Sequence, residues 1–223
     1  MGIHDGHRER LRSRFLEYGL EAFNEINALE LLLFYAIPRK DTNPLAHALL
    51  ERFGTLQGVF SASQEELKEI PGISDSTAAL LRLIPAISRL AYTKETKKGL
   101  VLKNSARAAE YLIPRFMYED REVVLLLSLD ANKRVRSCDE IGIGVINAVD
   151  INVRKIAETA MQNKACSVIL AHNHPDGNTE PSPQDIETTD RVREALRLID
   201  IPLVDHLIVS EENYTSFCDR GLL

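Results

Sequence analysis

Two apolar runs, Val123 to Leu129 and Ala165 to Ala171, limit what this chain can become. Each is strand-sized and nearly continuous, with no polar residue at every second place. A half-exposed strand would alternate, so these two are expected as buried strands inside a sheet. The first is followed by the turn Asp130-Ala131-Asn132-Lys133 and by Arg134 to Ile141, which alternates enough to be its hairpin partner; Gly142 and Gly144 end it. Pro202 to Ser210 with Asn213 to Cys218 reads as a closing hairpin. Helices fall between the strands. Ser105 can cap one through Leu112 that stops near Pro114, Asp150 can cap another from Ile151 to about Asn163, and Pro183 to Leu198 is amphipathic. Strands interleaved with helices make residues 100–223 an α/β domain.

Residues 1–92 contain no alternating segment and read as an all-α domain. His7 to Tyr18 is a helix with Leu11, Phe15 and Tyr18 on one stripe, arginines on the other faces, and Gly19 to close it. Asn27 can cap a second helix through Phe34, and Asn43-Pro44 opens a third that ends at Gly54. Ser63-Gln64-Glu65-Glu66 is a capping box for a short helix to Ile70. Pro71-Gly72-Ile73-Ser74 then turns into a helical stretch from Asp75 to Ala91, which Pro85 should kink or interrupt. The polar stretch 93–99 is the expected linker.

The composition is that of a soluble globular protein, 44% hydrophobic and 27% charged. No apolar run approaches the roughly 18 residues of a membrane span, and the N-terminus lacks the apolar core of a signal peptide. A cytoplasmic location without membrane attachment is expected; oligomeric state is not legible. Three scattered cysteines, Cys138, Cys166 and Cys218, suit buried thiols rather than a disulfide framework. Of the net charge of −6, residues 1–98 contribute none, with 13 basic and 13 acidic side chains. Neither half is basic enough for a dedicated nucleic-acid binder, so any such contact must be local.

The second apolar run ends in His172-Asn173-His174 and breaks into Pro175-Asp176-Gly177. Alternation along a strand puts His172 and His174 on one face, where both imidazoles can reach one ion. Asp185, with ten residues between it and His174, can add a carboxylate, completing a donor set suited to zinc. Ser182, Pro183 and Asp185 are also what a capped helix start requires. The two readings are compatible, because a capped first turn holds the carboxylate rigidly toward the strand end.

The pattern His-x-His-x7-Ser-x2-Asp, complete as His172, His174, Ser182 and Asp185, resembles the JAMM (MPN-plus) metalloprotease signature. The surrounding "LAHNHPDGNTEPSPQDIE" and "LVDHLIVSEENYTSF" are similar to the RadC branch of that family over roughly residues 100–223. The resemblance implies a cytidine-deaminase-like α/β domain with a mixed sheet. It also implies one Zn²⁺ per chain on His172, His174 and Asp185, with a fourth position open to water. It assigns the general base to Glu140 and an oxyanion-holding role to Ser182. His206, in Val204-Asp205-His206-Leu207, would stand behind the ligands, and Asn173 takes the place of a Ser or Thr common in eukaryotic JAMM peptidases.

The helix, Ile-Pro-Gly-Ile turn and longer helix around Gly72, Ile73 and Ser74 resemble a helix-hairpin-helix module. That resemblance implies contact with DNA backbones through amides at the turn, although Ser74 replaces the module's second glycine and Glu66, Glu69 and Asp75 lie close by. The expectation is therefore an all-α helix-hairpin-helix domain, then an α/β JAMM domain. Its expected activity is that of a zinc-dependent hydrolase of metallopeptidase type acting on a peptide or protein. A DNA-repair-linked nuclease and a non-catalytic DNA-binding adaptor are the alternatives. The HxHxDH of metallo-β-lactamase folds fails at Gly177, and the H-x-E and P-C-x-x-C of zinc deaminases are absent.

Overall fold

The structure is a computed structural model and describes residues 3–95, 99–119, 121–143, 152–210 and 213–223. The chain divides into two compact units, residues 1–88 and 89–223. The first holds α1 (Ile3–Tyr18), a 3-10 turn (Leu20–Ala22), α2 (Glu25–Ala36), α3 (Asn43–Phe53), α4 (Leu56–Ser61) and α5 (Gln64–Lys68). Helix α6 (Asp75–Glu95) begins in this unit and ends in the next. The segment expected as a linker therefore starts as helix up to Glu95, and residues 96–98 lie outside the described residues. Pro85 does not interrupt α6; its ring is buried, and packing of that face outweighs the lost backbone bond.

Local hydrogen bonds fix where the helices begin. The second helix is capped by Asn24, not Asn27: Asn24 Oδ1 accepts the Asn27 amide at 2.8 Å. The capping box at Ser63 forms as expected. Gly19 closes α1 with φ 68° and donates to Phe15 O at 2.8 Å. Arginines of α1 are engaged within their own unit. Arg8 lies 4.5 Å over the Phe34 ring and donates to Ile37 O, while Arg14 covers Phe23. Glu30 is fully buried and accepts from His7 Nε2 at 2.9 Å and Asn43 Nδ2 at 3.2 Å, as a buried carboxylate must. Between α5 and α6, Gly72 turns with φ 103°, Ile73 is buried, and Ser74 Oγ accepts the Thr77 amide.

The second unit contains α7 (Ser105–Phe116), β1 (Val123–Leu129), β2 (Val135–Ile143), α8 (Val153–Gln162), β3 (Ser167–Asn173), α9 (Pro183–Arg197), β4 (Leu203–Val209) and β5 (Tyr214–Ser216). The strands form one mixed sheet in the order β2-β1-β3-β4-β5, with only β3 and β4 parallel. The two apolar runs, β1 and β3, lie side by side within it, which is why neither alternates. On one face Leu125, Leu127, Ile169 and Ala171 pack with Tyr111 and Leu112 of α7. On the other, Val124, Leu126, Val168 and Leu170 pack with Ile156 of α8 and Val192 of α9.

Asn104 rather than Ser105 caps α7, accepting the Arg107 amide at 3.0 Å. Asn152 caps α8 by accepting from Lys155 N, while Asp150, expected in that role, and Gly144 lie outside the described residues. Gly142 does not end β2 but lies inside it. Two thiols depart from expectation: Cys166 and Cys218 are exposed at the ends of secondary structure, while Cys138 packs against the α7-face core. Among the described residues no helix is long and apolar enough to cross a membrane.

Candidate metal centre

Strand β3 supplies His172 at its end and His174 just beyond, both on the α8/α9 side of the sheet by alternation. Helix α9 supplies Asp185 from its first turn, and its N-terminus favours a carboxylate there. The Ser182 amide and hydroxyl both donate to Asp185 Oδ2, at 2.8 and 2.7 Å, and Ser182 Oγ in turn accepts the Asp185 amide. Oδ1 faces His172 Nε2 at 3.3 Å, while Oδ2, besides its bonds to Ser182, lies 3.7 Å from His174 Nε2. In this arrangement the Ser182 hydroxyl proton is spent on the Asp185 carboxylate.

His172 Nε2, His174 Nε2 and the Asp185 oxygens stand 3.0, 3.3 and 3.7 Å apart in pairs. Ligands about 2.0–2.1 Å from a tetrahedral ion are roughly 3.3 Å from one another, so these spacings, although they run to different carboxylate oxygens, are of the size a tetrahedral ion takes. The group is His172, His174 and Asp185, as read from the sequence.

Hydrogen-bond direction fixes which ring nitrogens are free. His174 Nδ1 lies 2.6 Å from Asn178 O, an acceptor only, so Nδ1 carries the proton and Nε2 the lone pair. The turn that returns Asn178 to His174 needs Gly177 at φ 84°, and Asp176 closes it by accepting the Asn178 amide. Behind His172 runs a directional chain. Thr189 Oγ1 donates to Asp185 O at 2.5 Å, accepts from His206 Nδ1 at 2.6 Å, and His206 Nε2 accepts from His172 Nδ1 at 2.8 Å. His172 Nε2 is thereby left with its lone pair. Two ring nitrogens and the Asp185 carboxylate thus form a group able to hold a metal ion.

The electrostatics agree. Burial would raise the Asp185 carboxyl, but in the metal-free protein, where the imidazoles can carry a proton on Nε2, hydrogen bonds from His172, His174 and Ser182 hold it well below the carboxylate range. The Asp185 hydrogen bond raises His174 against its partial burial, with the Asn178 carbonyl and the charge of Glu122 assisting. Complete burial, then the neighbouring His172, push His206 far down, keeping it neutral. His206 stacks on Phe217 at 4.7 Å, so the ring that supports His172 is itself fixed. The side chains of His172 and Asp185 are 0% and 2% exposed, against 14% for His174, so solvent reaches the centre from the His174 side.

Glu140 and Glu122 stand differently to this centre. Glu140 is exposed on β2 and pairs with Leu125, which belongs to the α7 face of the sheet; Ile141 then forms a bulge before Gly142 pairs with Val124. Glu122 precedes β1. The β1–β3 pairing ends at Val124 and His172; continued two further steps, its antiparallel register would set Glu122 opposite His174, and the Glu122 charge does act on that histidine. Sequence reading passed over Glu122 because it stands just outside the apolar run. Its signal was periodic: Glu122, Val124 and Leu126 share one face, but only strand pairing shows that this face is the histidines'. The residues of the α5–α6 turn, Gly72, Ile73 and Ser74, belong to the first unit and not to this centre.

A RadC-like JAB domain profile matches residues 102–222. The chain is 35% identical over 225 aligned positions to the "UPF0758 protein FN0909" of Fusobacterium nucleatum subsp. nucleatum, an alignment covering 98% of this chain and 97% of that one. With the domain match and near full-length similarity in hand, the chain belongs to the RadC family, its second unit being a RadC-like JAB domain.

Proposed function

We propose that the protein is a zinc-dependent hydrolase of metallopeptidase type acting on an amide bond of a peptide or protein. The observation that carries this reading is the convergence of His172 Nε2, His174 Nε2 and the Asp185 carboxylate, opened to solvent on the side of a further carboxylate, Glu122. A Zn²⁺ held by these three residues would supply a Lewis acid and bring the pKa of a water to about 7. Glu122, in preference to Glu140, takes the proton of the attacking water and returns it to the leaving amine nitrogen. Ser182 fixes Asp185, and Asn178 and His206 fix the two imidazoles, so the centre needs little rearrangement as it works.

The test is zinc content together with hydrolysis of a peptide panel. About one zinc per chain, lost in His172→Ala, and turnover abolished in Glu122→Gln with zinc retained are the expected results. Full turnover by Glu122→Gln would remove it from the reaction, and its loss in Glu140→Gln would return the role to Glu140. A nuclease or a DNA-bound adaptor is less favoured. At the α5–α6 turn the Thr77 amide is taken by Ser74, and Asp75 stands in the first turn of α6, paired with Lys68 at 2.6 Å. A phosphate approaching there meets a carboxylate. Cleavage of labelled DNA by the zinc-loaded protein, or salt-sensitive retardation of DNA in a gel, would reverse that preference.

A further inference from the structure

Asn173 lies between the two histidine ligands, 4% exposed, and its side chain faces away from them. Both ends of its amide are engaged with the segment leading into β1. Asn173 Oδ1 accepts from Val123 N at 2.7 Å, and Asn173 Nδ2 donates to Arg121 O at 3.0 Å. The backbone ladder between β1 and β3 runs as far as Val124 and His172; beyond it this one side chain takes over the pairing. The two backbone groups it grips flank a single residue, Glu122.

From this we infer that Asn173 is a positioning residue for Glu122, clamping the peptide units on both sides of it so that the carboxylate stays opposite His174. The inference rests on the proposed role of Glu122. A residue at this place must satisfy one donor and one acceptor on a strand that has just lost its ladder partner. Asn does so with two polar atoms on a short arm, and a serine hydroxyl has only one. The side chain between the ligands thus bears on the base, because both ends of its amide are bonded to the backbone that flanks Glu122.

The test is a double-mutant cycle read by binding of acetohydroxamate, a metal chelator whose acidic proton a neighbouring carboxylate can take. With zinc-loaded protein, Glu122→Gln is expected to weaken acetohydroxamate about tenfold or more. Asn173→Ala should weaken it to a similar extent in the parent and add little in the Glu122→Gln background, with zinc content unchanged. Asn173→Asp, which keeps the acceptor for Val123 N–H, guards against a variant that fails to fold. In metal-free protein the Val123 amide should lose hydrogen-exchange protection in Asn173→Ala and keep it in Asn173→Asp. Equal weakening by Asn173→Ala in both backgrounds, or an unprotected Val123 amide in the parent, overturns the positioning role alone. Affinity unaffected by Glu122→Gln overturns the assignment of Glu122 as base, and the clamp's purpose with it.

Discussion

His206 and His172 are joined ring to ring, Nε2 to Nδ1, at 2.8 Å, and Thr189 closes the far side of His206 at 2.6 Å. The orientation of this chain starts from a backbone carbonyl, Asp185 O, which belongs to the residue that also supplies the third ligand. Helix α9 thus sets both one member of the His-His-Asp group and the tautomer of another. Thr189→Val keeps the shape but removes the acceptor for His206 Nδ1–H. It should weaken zinc about tenfold or more in competition with a chelator while the fold persists. Unchanged affinity would show that the tautomer is set elsewhere.

Protons and zinc compete for the same lone pairs, which fixes the sign of the pH dependence. The folded-state pKa of His174 is raised, so its contribution to metal-free stability is full below about 6.5, the ordinary histidine value, and is lost as pH rises through the folded value. That of Asp185 is lowered, so its contribution is present above about 3.9 and lost as pH falls through its folded value. Between those limits both contributions are present, opposed by His206, whose lowered value costs stability as pH falls below about 6.5. The rise in Tm on adding zinc should therefore be small at pH 5.5 and larger at pH 8. Melting curves with and without zinc at both pH values give the answer, and a larger shift at pH 5.5 would contradict it.

Cysteine chemistry should separate cleanly. Burial pushes the Cys138 thiol up to about 11, partly offset by Arg115, whereas Cys166 and Cys218 are exposed. At pH 8 a thiol with such a pKa is only about 0.1% thiolate, and the thiolate is the reacting form. Iodoacetamide labelling of native protein, mapped by mass spectrometry, should modify Cys166 and Cys218 first and Cys138 roughly a hundredfold more slowly. Labelling of all three at one rate would mean that Cys138 is not held against α7.

The group able to hold a metal was legible because it is local: His172, His174 and Asp185, with Ser182 as the cap, lie within one strand end, one turn and one helix start. The two central strands were legible because burial on both faces erases alternation. Helix caps were missed by one to three residues at Asn24, Asn104 and Asn152, since neighbouring polar residues compete for the cap and only backbone geometry decides. Glu122 was not legible, because its place depends on the register between β1 and β3, strands separated by a hairpin and a helix. The same non-local pairing hid the role of Asn173. The exposure of Cys166 and Cys218 was missed because position at the end of an element, not residue type, decided it.

Ser182 has two candidate roles that one pair of measurements separates. As a cap, its Oγ accepts the Asp185 amide and donates to the Asp185 carboxylate, so Ser182→Ala should cost about 1 kcal/mol of stability. It should also weaken zinc, because Asp185 loses one of the bonds that hold its charge. As an oxyanion donor, Ser182 would instead affect turnover about 100-fold or more with zinc affinity intact. The structure has the hydroxyl proton directed at Asp185 Oδ2 at 2.7 Å, so the first pattern is expected. Ser182→Thr retains the cap and should restore both stability and zinc binding. A Ser182→Ala protein that binds zinc like the parent yet turns over about 100-fold more slowly would place the hydroxyl on the substrate.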